Sequence, residues 1–277
     1  MPFTVIALMM SAATLSATFN ALIKGADDKL FMTILLTTAT GVVSALALPF
    51  LSGPALASWP FIAVSATLSV GYYAVVAEAY QVADLSQAFP VMRGTAPLLV
   101  ALASRTLIGE HLSWPAWLGV GLICSGILGL ATSARSGSAK GVGLALVNAV
   151  LIAGYTCSDG IGVRRSGSPF AYGLWVNVLT AVPLLAWTLL GRRRAFVRYV
   201  PARLHLGLLG GLASTTVYSV TLWGMTVAPV ALVAALRETS ILSALAISAV
   251  FLKEKVGLRR ALLACAIAGG AMALRLA

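Results

Sequence analysis

The sequence predicts an all-helical membrane protein: ten transmembrane helices arranged as two inverted five-helix repeats around a central cavity. Three observations lead there. Of 277 residues, 60% are hydrophobic and 10% charged, with a mean hydropathy of +0.96. An ordinary soluble domain is about 45–50% apolar and about 25% charged. The apolar residues fall into runs near the length of about 20 that a helix needs to cross the hydrocarbon core, separated by short polar breaks. Polar residues within and beside those runs also recur at an offset of 144: Arg93 on Arg237, Thr95 on Thr239, Ser104 on Ser248 and Glu110 on Glu254. Ile123, Gly126 and Leu130 match Ile267, Gly270 and Leu274 at the same offset. Ten spans use roughly 200 residues and leave about eight per connection, which excludes a soluble domain.

The elements follow in order from apolar runs and the turn or charge signals that end them. The first span covers Pro2–Ile23 and stops at Lys24-Gly25-Ala26-Asp27-Asp28-Lys29; with no basic segment before it, it reads as a span rather than a removed signal peptide. The second, Leu30–Leu51, is broken by Ser52-Gly53-Pro54. The third, Trp59–Val82, turns tightly at Asp84 into the fourth, Leu85–Leu107. Beyond Gly109-Glu110-His111 lies the fifth, Trp114–Thr132. The polar stretch Ser133–Lys140 separates an N-terminal unit, residues 1–134, from a C-terminal one, residues 139–277. The sixth to eighth spans are Gly141–Gly162, Phe170–Leu190 and Leu204–Val227. The ninth runs from Pro229 to Leu252, and Lys253-Glu254-Lys255 divides it from the tenth, Leu258–Leu274. Five spans is an odd number, so the second unit enters the membrane in the opposite sense. Inverted repeats of this kind are the architecture of secondary transporters, with the site near the bilayer midplane where the repeats meet.

The net charge of +11 does not point to nucleic acid, because the basic residues lie in the breaks between spans rather than on one folded face. Connections after odd-numbered spans carry most of the Lys and Arg, among them Lys24, Lys29, Arg192, Arg193, Arg194, Lys253 and Lys255. The opposite face, which holds both termini, has Arg105, Arg164, Arg165 and Arg275. The positive-inside rule therefore puts the termini outside and the richer face in the cytoplasm, beside anionic lipid. Cys124, Cys157 and Cys265 sit in apolar runs as small core residues, with no disulfide and no metal spacing. His111 and His205 cannot assemble a zinc site, and no phosphate-binding glycine loop is present. No metal, cofactor or catalytic group is expected.

Ionisable residues inside spans are the functional candidates, since burying an unpaired one costs several kcal/mol. Glu78, Arg93, Arg237 and Glu238 qualify, with Asp159 nearer a helix end. A guanidinium can bind a carboxylate or phosphate bidentately. The alternative is a structural ion pair, Arg237 with Glu238 or Arg93 with Glu78. Ser86, Pro90, Arg93 and Pro97 share one face of the fourth span, where each proline removes a backbone donor. Such a kinked helix lines a water-filled cavity or simply packs. In the sixth span Asn148, Tyr155 and Asp159 share a face, for cavity lining or interhelical hydrogen bonding. In the third, Tyr73 and Tyr80 share a face, whereas Glu78 lies about 200° around the helix from Tyr80. Asn20, Tyr218 and Trp223 are further wall candidates, and Trp59, Trp114 and Trp117 are interfacial anchors.

Two stretches carry a resemblance. Ala88-Phe89-Pro90-Val91-Met92-Arg93-Gly94-Thr95-Ala96-Pro97 with Ile108-Gly109-Glu110-His111-Leu112 resembles the EamA-type half-repeat. So does Ala228-Pro229 through Leu236-Arg237-Glu238-Thr239-Ser240 with Leu252-Lys253-Glu254-Lys255. The family is the drug/metabolite transporter superfamily, and both halves carry its pattern. The resemblance implies export of amino acids or similar small metabolites by alternating access, commonly proton-coupled, in a bacterial cytoplasmic (inner) membrane. Glu110 and Glu254 match the family's acid at the end of the fourth and ninth helices, read as structural. The first helix offers Asn20 where the small drug exporters of the superfamily have an acid, which disfavours a cationic-drug and proton exchanger. Arg93 and Arg237 are then expected to meet a substrate carboxylate or to gate, with Pro90, Asn148, Tyr80, Tyr155, Tyr218 and Trp223 as walls. Glu78, Asp159 and Glu238 are the candidates for a proton-responsive group. The expected partners are a small-molecule substrate, protons and membrane lipid, with the protein a monomer. A drug or nucleotide-sugar exchanger and a membrane-embedded lipid-modifying enzyme are the alternatives.

Overall fold

The structure, a computed structural model, describes residues 3–24, 26–82, 85–131, 139–243, 245 and 257–276. Every element among the described residues is helical. They are α1 (Phe3–Lys24), α2 (Lys29–Ala47), α3 (Trp59–Val82), α4 (Leu85–Leu107), α5 (Trp114–Ala131), α6 (Ala139–Ser166), α7 (Pro169–Val227), α8 (Val230–Arg237) and α9 (Leu258–Arg275). Two single 3-10 turns, Leu48–Phe50 and Leu56–Ser58, join α2 to α3. Local chemistry sets the ends: Asp28 caps α2 by accepting from the Phe31 amide at 2.9 Å. Gly167, at φ 66°, supplies the left-handed turn between α6 and α7, and Pro169 opens α7.

Two expected boundaries are corrected. The seventh and eighth spans are not separated by a loop: α7 runs helically through residues 191–203, broken only at Arg192 (φ −137°, ψ 29°). The Arg, Ala, Phe and Leu residues there favour helix, and a lone Pro201 kinks rather than ends it. At 1.5 Å per residue, 59 residues would extend roughly 88 Å, nearly three bilayer cores. The chain instead doubles back. Asn177 donates to Ser44 and Ala181 lies against Gly41, so the first half of α7 runs antiparallel to α2. Gly207 meets Leu35 and Gly211 meets Ala39, so the second half runs parallel to it. Phe196 and Tyr199, near the reversal, pack edge-on and tilted against Phe31 at the start of α2. The sixth span is also longer than expected, because helix continues to Ser166 and takes in Arg164 and Arg165.

One pair of helices, one from each repeat, crosses antiparallel. α5 and α9, the fifth helix of each, cross with glycines against larger side chains. A Cβ on Gly126 would meet Ile267 Cγ1 at 2.7 Å, and one on Gly270 would meet Ile123 Cγ1 at 2.8 Å. Gly119 likewise faces Leu274. As the number rises on one helix it falls on the other, so the helices are antiparallel. The reciprocity of Gly126 with Ile267 and Gly270 with Ile123 puts a pseudo-two-fold axis between them. Beside this pair, Val230–Leu236 of α8 are all buried and join the principal core, which also draws on α1, α4, α6 and α7.

Candidate functional site

Among the described residues, a polar cluster lies at each end of α8 in this apolar bundle. At its C-terminal end the helix is interrupted. Glu238 and Thr239 donate to carbonyls three residues back, Ala235 and Leu236, and helical backbone resumes at residue 240. Here Arg93 of α4 donates through Nη1 to Glu238 Oε1 at 3.0 Å and Oε2 at 3.2 Å. Arg237 Nε lies 3.5 Å from the same Oε1 without hydrogen-bond geometry, and its Nη2 donates to the Tyr155 hydroxyl of α6 at 3.4 Å. The Glu238 side chain is 2% exposed and each arginine 17%. Arg237 Nε is a buried donor with no hydrogen-bond partner among the described residues. Aromatic rings enclose the group: the Arg93 guanidinium sits 5.3 Å from the Phe89 centroid, and Tyr72 packs edge-on to both Tyr155 and Tyr73.

The charges in this cluster do not balance. Two guanidiniums share one carboxylate, and guanidinium stays protonated under any ordinary condition. Taking such charges from water costs several kcal/mol each unless they are paired and hydrogen-bonded. Arg93 meets that condition, whereas Arg237 meets it in part. A ligand carboxylate or other anionic group is the chemistry that would complete it.

One turn and more along α6, Asp159 is 1% exposed and accepts from both the Tyr172 hydroxyl (3.1 Å) and the Tyr218 hydroxyl (2.8 Å). No Lys or Arg among the described residues forms an ion pair with it. Because α6 continues to Ser166, Asp159 is seven residues inside the helix rather than near its end. Asn148, on the same face, is fully buried; its amide donates to Met92 Sδ at 3.0 Å while its Oδ1 has no partner among the described residues. The α6 stripe thus faces α4, α7 and α8, and interhelical hydrogen bonding is present along it.

At the other end of α8, Glu110 accepts from the Val230 amide through both oxygens at 3.0 Å, filling the donor left open at the helix start after Pro229. Arg164 of α6 donates to Glu110 at 2.7 Å, to the Met225 carbonyl at 2.8 Å and to the Ala228 carbonyl at 3.0 Å. This network ties the end of α4 to α6, α7 and α8 at the face where the termini lie.

Other expected residues fall differently. Glu78 does not pair with Arg93: it bonds Lys140 at 3.0 Å, and both side chains are about half exposed. Its side of α3 turns away from the cluster, as its angular separation from the tyrosines requires. Tyr218 joins Asp159, Pro90 lies half-buried on α4, and half-buried Trp223 engages Thr226 only through its carbonyl. The side chains of Asn20 and Tyr80, and all of Glu254, lie outside the described residues. Sequence reasoning missed Tyr72, Phe89, Tyr172 and Arg164. Arg164 looked like a topology charge because its helix was drawn too short. Tyr72 and Tyr172 carry no signal beyond an aromatic ring in an apolar run. A shallow crevice between α2, α3 and α7, lined by Leu30, Thr37, Tyr73 and Trp187 among others, is almost wholly apolar and holds none of the charged residues.

Comparison with known proteins accords with this arrangement. The model of the EamA-like transporter family matches the chain twice, over residues 3–132 and 139–276. Among solved structures, one titled only "Crystal structure of protein" shares the fold with a TM-score of 0.78 at 20% identity, covering 100% of this chain and 98% of its own. No curated protein matches the sequence.

Proposed function

Since the chain belongs to the EamA-like transporter family, integral membrane transporters of the drug/metabolite superfamily, we propose that it exports amino acids or similar small carboxylate-bearing metabolites by alternating access. The observation that carries this is the central cluster, two guanidiniums to one carboxylate at an interrupted helix between the repeats. Discontinuous helices near the midplane are where secondary transporters hold their substrates. Arg237, with an unfilled donor, receives the substrate carboxylate; Arg93 and Glu238 hold α4 to α8 around it. A cationic substrate would meet a net positive site. Tyr155, Tyr72 and Phe89 supply the wall against an apolar side chain. Asp159, a buried carboxyl between two tyrosine hydroxyls, is the coupling group, taking a proton on one face and releasing it on the other. The basic face is cytoplasmic, in a bacterial inner membrane.

Counterflow in proteoliposomes tests this, with unlabelled amino acids preloaded one at a time. Saturable, protein-dependent uptake of label that Arg237→Ala reduces at least tenfold is expected. Absence of counterflow across the panel by well-folded protein would sink the amino-acid assignment.

A further inference from the structure

The network at the terminal face does more than hold a helix end. We infer that Glu110 and Arg164 form a gate that closes this face of the transporter and must part in each transport cycle, an inference that rests on the alternating-access function above.

Its geometry is that of a closing contact. Glu110 follows α4 in the first repeat, whereas Arg164, Met225, Ala228 and Val230 all belong to the second. Among the described residues the bonds of the Glu110 carboxylate thus cross between repeats, while its amide donates to Ser104 within the first. The bonds join helix ends: both carboxylate oxygens meet the open amide of α8, and Arg164 Nε and Nη2 meet the two carbonyls where α7 ends. The site is self-contained in charge, one anion to one cation. Yet it is not sealed in the core, since Arg164 is 32% exposed and Glu110 10%. Charge-assisted bonds that water can replace on one side separate at far lower cost than wholly buried ones. Beneath them α8 leads directly to Arg237 and Glu238, so the contact controls the approach to the cluster from this face.

The test follows a reporter between gate and cluster. Ala234, 5% exposed on α8, is replaced by cysteine in the full chain after Cys124, Cys157 and Cys265 are changed to alanine. A membrane-impermeant methanethiosulfonate is applied to right-side-out and inverted vesicles. Labelling of Phe50→Cys, at an 86% exposed turn of the terminal face, identifies which vesicle presents that face. Glu110→Gln and Arg164→Gln should each raise the labelling rate of the Ala234→Cys reporter from the terminal face by about tenfold, the shift expected when charge-assisted bonds of one state are lost. An unchanged rate in both variants overturns the gate. So does an equal rise from both faces, which would mean a loosened bundle. Because no substrate is needed, a reporter that responds while counterflow fails leaves the gate standing and removes the substrate assignment. Counterflow with an unresponsive reporter does the reverse.

Discussion

The two ends of α8 are both held by ion pairs that cross between the repeats, yet they are built on opposite principles. At Val230 one anion meets one cation and every partner is a backbone group or the other charge. At Arg237 one anion meets two cations, and a donor is left over. A charge-balanced joint has two conditions, made or broken. An unbalanced one has a third, completed by something else. The proposed gate and the proposed recognition site thus use the same chemistry and differ in their count of charges.

The largest effect should come from breaking the unbalanced end at its anion. Glu238→Ala leaves two buried guanidiniums facing each other. Loss of one partner of a buried pair costs about 3–5 kcal/mol, and the variant should lose its monodisperse peak in gel filtration or unfold far below the parent. Arg93→Ala comes next. It leaves Glu238 with only the 3.5 Å approach of Arg237, so melting should fall markedly and transport with it. Arg237→Ala sharpens the contrast, because the Arg93 pair survives; melting should shift little while counterflow is lost. Equal destabilisation of the two arginine variants would remove the distinction between clamp and receptor. Asp159→Asn keeps an acceptor for one tyrosine and removes the titrating proton. Counterflow should persist while the response to an imposed pH gradient disappears, and a retained response would displace Asp159 from coupling. The smallest effect belongs to Glu78→Gln. An exposed pair is worth below about 1 kcal/mol, and neither melting nor counterflow should change measurably.

Composition and spacing made the bundle legible, and particular residues show where legibility stopped. The offset that paired Arg93 with Arg237 marked both charged helices of the central cluster, because a charge in an apolar run stands out whatever its partner. The partner itself did not stand out. Glu238 lies beside Arg237 in sequence but serves Arg93 from 145 positions away, and nothing local distinguishes that from the expected pairing of Arg93 with Glu78. Tyr72 and Tyr172 were invisible for the opposite reason, since apolar runs commonly contain tyrosine and only the fold shows that the Tyr72 ring meets Tyr155 and the Tyr172 hydroxyl meets Asp159. The misplaced end of the sixth span had a cost. A break drawn at Gly162 made Arg164 a surface charge, whereas two more helical residues bring its fork to the ends of α7 and α8. Residues 191–203 read as a break between spans because their arginines interrupt the apolar run, whereas the backbone departs from helix only at Arg192 and resumes where Phe196 and Tyr199 are anchored on α2.

The crossing of α5 and α9 has a consequence for ancestry. Gly126 receives Ile267 as Gly270 receives Ile123, and these are the same two positions of one repeating unit. A contact that reads identically from either side is the contact of a symmetric homodimer. Each repeat thus carries both halves of the joint it makes with the other. Two separate copies crossing antiparallel at this helix would need no new residue there to find each other, and fusing them into one chain would have preserved a partnership already complete.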